Sequence, residues 1–270
     1  MAIDYATRYE SQINEMFSRK AFTDSAVNDN YDFEGAKTVK VYNIPTVEMG
    51  NYETSGFNRY GNPEELTASV CEMTLKNDRS FTFTIDKRNN SDTQGALDAG
   101  AALARQIEHV IVPEIDKHRL KVMSEEAGVR VIKNGHMPLD LIMEVSNNMT
   151  DENCPTDGRI AFITSKFHRE LKQDLMFTTA SEIVHELLVT GQVGVVDGIK
   201  VIAIPSSYMP ENVECIVVHP DTITAAQKLN EYKIHDNPPG INGWLVEGRI
   251  CYDAFVLAGK EMGIGVVETM

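Results

Sequence analysis

The chain has 270 residues, with 25 Lys and Arg against 40 Asp and Glu, so its formal net charge is -15. Hydrophobic residues make up 42% and charged residues 24%, proportions that support a packed core and exclude a wholly disordered, collagen-like or coiled-coil chain. The acidic balance argues against nucleic-acid binding through a basic face, which draws on phosphate neutralisation by Lys and Arg.

Apolar runs such as Ile199 to Pro205 and Phe255 to Ala258 fall far short of the ~20 residues that span a bilayer. The first twenty residues carry Asp4, Arg8, Glu10 and Glu15 among isolated apolar side chains, without the basic start and apolar stretch of a secretory signal. A cytoplasmic location is expected. Cys71, Cys154, Cys215 and Cys251 form no C-x-x-C pair and read as small core residues, not as a disulfide or zinc framework.

Along the chain, Tyr9, Ile13, Met16 and Phe17 fall on one stripe of a short helix. The residues from Thr23 to Asp32 are mostly small or acidic, too poor in apolar side chains to pack alone, so this opening reads as an arm. Val39 and Val41 then alternate with polar neighbours, as do Cys71, Met73 and Leu75, across a Gly-, Asn- and Tyr-containing stretch from Gly50 to Pro63. The pattern predicts a long hairpin with a loose tip. A strand of about eleven residues would reach ~36 Å; a two-stranded ribbon is marginal alone, so it should lie on its own body or on a neighbouring chain.

Phe81, Phe83 and Ile85 mark one face of the next strand, Ser80 to Asp86. A turn at Asn89-Asn90 and a Ser91/Gln94 capping box predict the start of a long helix. Its apolar series is Leu97, Ala101, Ala104, Ile107, Ile111, Ile115, Val122 and Met123, up to a stop at Gly128. About 36 residues make ~54 Å of helix. Pro113 removes the bond to the carbonyl of His109 and predicts a kink or break. A helix over Leu139 to Met149, a buried strand over Arg159 to Thr164 and a helix over Phe167 to Asp174 follow. Asp197-Gly198 between two β-branched runs predicts a tight hairpin. Cys215 to Val218 reads as a strand, and Pro220 as the first residue of a helix running to about Leu229. Beyond Pro238-Pro239-Gly240 come three extended pieces, near Trp244 to Val246, Ile250 to Leu257 and Ile264 to Glu268.

No catalytic pattern emerges. His185-Glu186 lacks the second His of a zinc helix, since Val189 stands four residues on. Gly191, Gly194 and Gly198 do not match G-x-G-x-x-G, and there is no nucleophile elbow, P-loop or Cys nucleophile signature. His109 and His118 read as polar positions on the long helix. No catalytic, cofactor or metal residue is assigned. A motif-poor cytoplasmic α+β enzyme, with carboxylates converging in space, stays as the distant alternative.

The order of elements resembles, along nearly the whole chain, the major capsid proteins of tailed double-stranded DNA phages, the Hong Kong 97 capsid fold. Phe33-Glu34-Gly35-Ala36-Lys37-Thr38-Val39-Lys40-Val41 is similar to that family's lead into its extended loop, with Gly50-Asn51-Tyr52 and Arg59-Tyr60 in the tip. Ile107 to Leu120, centred on Val112-Pro113-Glu114-Ile115-Asp116, is similar to its spine helix. Gly158 to Ile163 and Gly191 to Pro205 resemble the axial domain, and Gly248-Arg249-Ile250 through Val267 its closing strands.

The resemblance implies an α+β fold in four parts. These are an N-terminal arm (1–36), an extended loop or long β-hairpin (37–79), a peripheral domain (80–146 and 245–270, with the spine helix at about 92–127) and an axial domain (147–244). It implies a structural protein that self-assembles into pentamers and hexamers of an icosahedral phage head enclosing double-stranded DNA. The partners implied are its own copies, a separate scaffolding protein, a portal and the packaged DNA, contacted non-specifically. The implied location is the virion capsid, assembled in the bacterial cytoplasm. Cellular encapsulin nanocompartments, which share the fold, are the close alternative. For contacts between subunits the resemblance points to Tyr9, Ile13, Met16 and Phe17 in the arm, and to Tyr52, Phe57, Arg59 and Tyr60 in the extended loop, with Arg59 available for a salt bridge.

Overall fold

The computed structural model describes residues 21–28, 38–43, 47, 49–63, 65, 67, 69–92, 99–173 and 194–269. The described chain folds as α+β around two sheets, a spine of helix and a projecting two-stranded ribbon.

The ribbon pairs β1 (Thr38–Asn43) with β2 (Ser69–Thr74), antiparallel, in the register Thr38↔Thr74 to Asn43↔Ser69. This is the expected hairpin, and among the described residues six are paired on each strand, roughly 20 Å of ribbon. β3 (Asn77–Asp86) pairs with the centre of a three-stranded sheet ordered β3, β10 (Gly243–Val256), β9 (Ile223–Asp236). Its inward residues Phe81, Phe83 and Ile85 are those the alternation picked out, and they pack on the spine helix.

The helical series begins earlier than the capping-box reading placed it. α1 (Lys87–Asp92) follows β3 directly, because the Asp86 carboxylate accepts the Arg88 N–H at 2.8 Å and caps the first turn; Asn89 and Asn90 are therefore helical. Leu97 lies outside the described residues. α2 (Ala99–Gln106) and α3 (Val112–Glu125) are joined by a wide π-turn, Ile107–Ile111, in which the Val112 N–H reaches back five residues to the Ile107 carbonyl. The irregularity expected at Pro113 is this turn, placed just ahead of the proline. It also has a packing purpose. Ile107, Ile111 and Ile115 are all buried at four-residue spacing, and in a regular α-helix each such step drifts by about 40°. A wider turn removes that drift and keeps them on one face. Upstream, the buried residues are Ala99 and Leu103, not Ala101 and Ala104.

Gly128 follows the helix end for a different reason than a left-handed stop. A Cβ there would lie 2.8 Å from the backbone of Glu261 and Met262, and its N–H donates to the Glu261 carbonyl at 2.9 Å.

The second sheet has six strands in the order β4 (Val129–Ile132), β11 (Ile264–Glu268), β8 (Val213–Val218), β5 (Ile160–Thr164), β7 (Ile199–Ile204), β6 (Gly194–Val196). The β4/β11 and β5/β7 pairs are parallel and the rest antiparallel. Central β5 and β8 are buried on both faces, which explains the apolar runs Ile160–Ile163 and Cys215–Val218. Ala161, Ile163, Cys215 and Val217 face α4 (Pro138–Asp151) and α5 (Ser165–Gln173). Ile160, Phe162, Ile216 and Val218 face Leu120 and Met123 of the spine. Asp197 and Gly198 take φ of 49° and 77°, the type I′ turn that their sequence called for.

Two expectations for the C-terminal third are corrected. After Pro220 the helix lasts a single turn, Pro220–Thr222, and Ile223 onward is strand. The β-branched pair Ile223-Thr224 favours the pleat, and pairing with β10 from Val256↔Ile223 to Trp244↔Asp236 outweighs the helical tendency of the alanines. The extended pieces near Trp244 and Ile250 are one strand, β10, with a bulge between Arg249 and Cys251. Within β10, Gly248 lies under the Phe81 ring, which a Cβ would meet at 2.3 Å, so two cross-strand aromatics, Phe81 and Tyr232, cover the bare backbone.

Candidate subunit interface

The ribbon is anchored at its root and bare at its tip. Val39, Val41, Cys71, Met73 and Leu75 pack with Ala226, Phe255 and Leu257 of the body. The root therefore finds its apolar partner within its own chain, the first of the two supports the ribbon called for. Polar groups fix the same joint. Asp253 accepts the Lys76 N–H at 3.0 Å and faces His118 Nε2 at 2.8 Å; the Asn77 amide lies 3.1 Å from the same His118 nitrogen. Burial works against the charge on Asp253, yet the bonds from His118, Lys76 and Ala254 hold its carboxyl below the usual carboxylate range.

The tip carries its own order. The Glu53 N–H donates to the Arg59 carbonyl at 3.0 Å, the Gly61 N–H to the Asn58 carbonyl at 2.9 Å, and Tyr52 and Tyr60 meet edge to face at 5.0 Å. Asn58, Gly56 and Gly61 take positive φ, which lets so short a segment turn twice. None of this buries the apolar groups: Phe57 is 98% and Tyr60 91% exposed, and Tyr52, Val47 and Met49 are also exposed. The sequence singled out Tyr52, Phe57, Arg59 and Tyr60, and the fold brings all four into this tip. It did not single out Val47 and Met49; their signal was two apolar residues just ahead of Gly50-Asn51 with no core face to join. Arg59 donates through Nε to the Gly56 carbonyl at 3.4 Å.

Tyr9, Ile13, Met16 and Phe17 lie outside the described residues. The end of the arm that is described, residues 21–28, is pinned at two points. Asp116, fully buried in the spine helix, accepts from the Phe22 N–H at 3.1 Å, the Thr23 N–H at 3.2 Å and the Thr23 hydroxyl at 2.6 Å. Arg119 Nη1 closes the group on Thr23 Oγ1 at 2.9 Å and on Asp24 at 2.7 Å. Burial pushes the Asp116 carboxyl above its usual range, against the pull of these bonds. Five residues on, Asn28 bonds through its backbone to Ile223 and Ala225, and through its side chain to the Pro220 carbonyl and the Thr224 hydroxyl. The sequence reading passed over this clasp, although Asp116 and Arg119 follow Ile115 in phase with the buried stripe.

Elsewhere the buried charges are spoken for. Every donor nitrogen of Arg159 bonds to a carbonyl or hydroxyl of Ser146, Thr150, Cys154 or Pro155, which closes the end of α4. Lys133 and Lys166 bracket Glu214 at 2.6 and 2.8 Å. The four cysteines are free thiols; Cys215 is fully buried and the others partly so. Among the described residues, no group of three His, Cys, Asp or Glu is placed to hold a metal ion.

No protein-family model and no curated protein matches the sequence. Solved structures do. The chain is similar to one from Mycobacterium phage Che8, with a TM-score of 0.71 at 14% identity over 90% of this chain and 89% of that one. It is similar to the capsid of cyanophage P-SCSP1u, with a TM-score of 0.71 at 10% identity over 93% and 88%. A virus-like particle from Pyrococcus furiosus aligns over 98% of this chain and all of its own, with a TM-score of 0.59 at 12% identity. Together with the ribbon, spine helix and two sheets, these likenesses establish that the chain has the α+β fold of the Hong Kong 97-type phage capsid proteins.

Proposed function

We propose that this chain is the major capsid protein of a tailed double-stranded DNA phage, a structural subunit that closes into pentamers and hexamers of an icosahedral head. The observation that carries the reading is the loop tip: an ordered apolar surface, held away from its own body, on a chain with the capsid fold. Three aromatics at ~150–250 Å² each would supply much of the ~800 Å² that one partner contributes to a standard interface. Each contact is modest, and ring and shell closure multiply it.

In this reading residues 1–36 form the arm and 37–79 the extended loop. Residues 80–146 and 245–270 form the peripheral part and 147–244 the axial part. The six-stranded sheet draws on both of the latter, since β4 and β11 pair beside β8. The arm stripe Tyr9, Ile13, Met16 and Phe17 reaches along a neighbour from a base fixed at Thr23 and Asn28. The chain performs no catalysis. Its partners are its own copies, a scaffolding protein, a portal and DNA touched non-specifically, and its place is the virion, assembled in the host cytoplasm. The net charge of -15 suits a lumen that does not hold phosphates tightly, so that DNA moves in and out. A continuous Lys and Arg carpet on the inner wall of the particle would refute that point.

A cellular nanocompartment shell of the same fold is the second reading, favoured by the full-length alignment with the virus-like particle, though at a lower TM-score than the phage chains. Sedimentation velocity and negative-stain imaging of the expressed chain test the proposal. Rings, tubes or closed particles are expected, and a small oligomer of fixed size would overturn it. Particles from infected cells filled with double-stranded DNA favour the phage reading over the compartment.

A further inference from the structure

Asn-Gly occurs twice in the chain, at Asn134-Gly135 and at Asn242-Gly243. The pair is chemically labile because glycine has no Cβ, so its amide nitrogen can swing onto the side-chain carbonyl of the preceding asparagine. The fold treats the two occurrences in opposite ways.

Asn134-Gly135 lies in the short turn between β4 and α4, and both residues are exposed, as is His136 beyond them. Gly135 takes φ of 76°, and nothing stands within 4 Å of the place a Cβ would occupy. Neither the Asn134 side chain nor the Gly135 N–H has a hydrogen-bond partner among the described residues. The turn is held at its ends. On one side the Asn134 and Lys133 N–H groups donate to the Ile132 and Glu268 carbonyls at 2.9 and 2.8 Å; on the other the Leu141 N–H donates to the Met137 carbonyl at 3.1 Å.

Asn242-Gly243 is locked. The Asn242 carbonyl accepts the Lys87 N–H at 3.0 Å, the Gly243 carbonyl accepts the Asn237 N–H at 2.8 Å, and Gly243 is buried at the start of β10 opposite Asp86. A Cβ on Gly243 would meet the Ile85 carbonyl at 2.0 Å. Turning the Gly243 nitrogen onto Asn242 would break that end of the sheet.

We propose that Asn134 is a site of spontaneous deamidation, with water as the co-reactant, and that Asn242 is not. The Gly135 nitrogen gives its proton to water and bonds to the Asn134 side-chain carbonyl carbon. That carbon releases its nitrogen as ammonia, which leaves a five-membered succinimide. Water then opens the ring at either carbonyl. One product is aspartate; the other is isoaspartate, whose main chain runs through the former side chain and is longer by one methylene. No oxidant or reductant takes part. Either product adds a negative charge to a chain already at -15, next in sequence to Lys133, whose ammonium is already shared by Glu170 and Glu214. The added methylene is taken up between the two fixed ends of the turn, so β4 and α4 keep their places. The site does not rest on the shell reading.

The test keeps the full-length chain in ¹⁸O-enriched water at mildly alkaline pH and follows its Glu-C peptides by mass spectrometry. Peptide 127–144 holds Asn134 as its one asparagine, and fragmentation of peptide 232–247 reports Asn242. In the native chain Asn134 is expected to convert about a hundredfold faster than Asn242, the effect of ~2.8 kcal/mol of local opening, with ¹⁸O in both products. In urea the two are expected to convert at similar rates, because the motif is then all that differs from ordinary asparagine. N134S is expected to abolish the acidic species that accumulates on ion exchange and to leave the melting temperature unchanged. Asn134 that stays intact in the native chain but converts in urea overturns the site, as does Asn242 keeping pace with it in the native chain.

Discussion

Replacing Asp116 by Ala should free the base of the arm without unfolding the body. In the native chain the carboxylate satisfies three donors, the N–H groups of Phe22 and Thr23 and the Thr23 hydroxyl. Thr23 is fully buried, whereas Phe22 is partly exposed and water reaches it. Two buried donors left unpaired cost about 1–3 kcal/mol each, and Arg119 keeps only Asp24 as a charged partner. The sum, roughly 2–6 kcal/mol, brackets the ~3–5 kcal/mol that breaking a buried charged contact usually costs. The chain avoids that penalty by releasing residues 21–25 into water, so the loss appears as local opening. Hydrogen exchange should therefore show the amides of Phe22 and Thr23 losing about 100- to 1,000-fold of their protection, while those of β5 and β8 change little. D116N keeps one acceptor oxygen and should fall in between. Equal loss of protection in the arm base and the central sheet would refute the reasoning, because it would make the clasp part of the global core. Less than tenfold loss at Thr23 would refute it from the other side.

Changing Tyr52, Phe57 and Tyr60 together to Ser should leave the melting temperature within a few degrees of wild type, since these side chains bury little in their own chain. The same change should sharply reduce the assembled fraction in sedimentation; a large fall in stability would show that the tip belongs to the body. Gly198→Val places a β-branched residue at φ 77° and should cost about 1–2 kcal/mol, read as a lower urea midpoint at unchanged slope. For Glu214, burial works against the charge, but bonds from Lys133 and Lys166 hold its carboxyl below its usual 4.5. A lowered carboxylate contributes stability above its usual range and loses it as pH falls through the depressed value. The urea midpoint should thus drop below about pH 4.5, less steeply in E214Q; parallel acid limbs would contradict this.

The parts of the fold legible in the sequence are those where one local signal has one physical solution. Asp197-Gly198 between β-branched runs admits little besides a type I′ hairpin, and the period-2 pattern of Phe81, Phe83 and Ile85 fixes both strand and inward face. Pro113 announced an irregular helix, though not its form, because the choice between a kink and a widened turn depends on keeping Ile107, Ile111 and Ile115 against β10. The segment after Pro220 misled, since Ala225-Ala226-Gln227 favours helix locally while its strand partners, Tyr252 to Ala254, lie 25 to 29 residues on. The arm clasp was hidden for a related reason. Asp116 and Arg119 look like ordinary polar positions on a helix until the chain from Phe22 to Asp24, more than ninety residues earlier, is laid across them.

The tip aromatics of the loop were legible as candidates because they sit among turn residues with no periodic stripe to join, and the structure adds that the tip carries bonds of its own. That changes the energetics of any contact it makes. A disordered loop that folds on binding loses conformational entropy at that moment, about 1–2 kcal/mol per residue fixed, which for the nine residues from Glu53 to Gly61 would cancel most of what three aromatics gain by burial. Here the bonds between Glu53 and Arg59 and between Asn58 and Gly61, with the Tyr52–Tyr60 edge contact, bias the loop toward one shape and so lower that cost. A contact of only a few hundred square ångströms then retains a net gain, small enough to be reversed while a misplaced subunit is still at the edge of a growing ring. Stiffness in the tip and weakness in each contact are thus linked: without the first, the second would leave no assembly, and without the second, errors would be trapped.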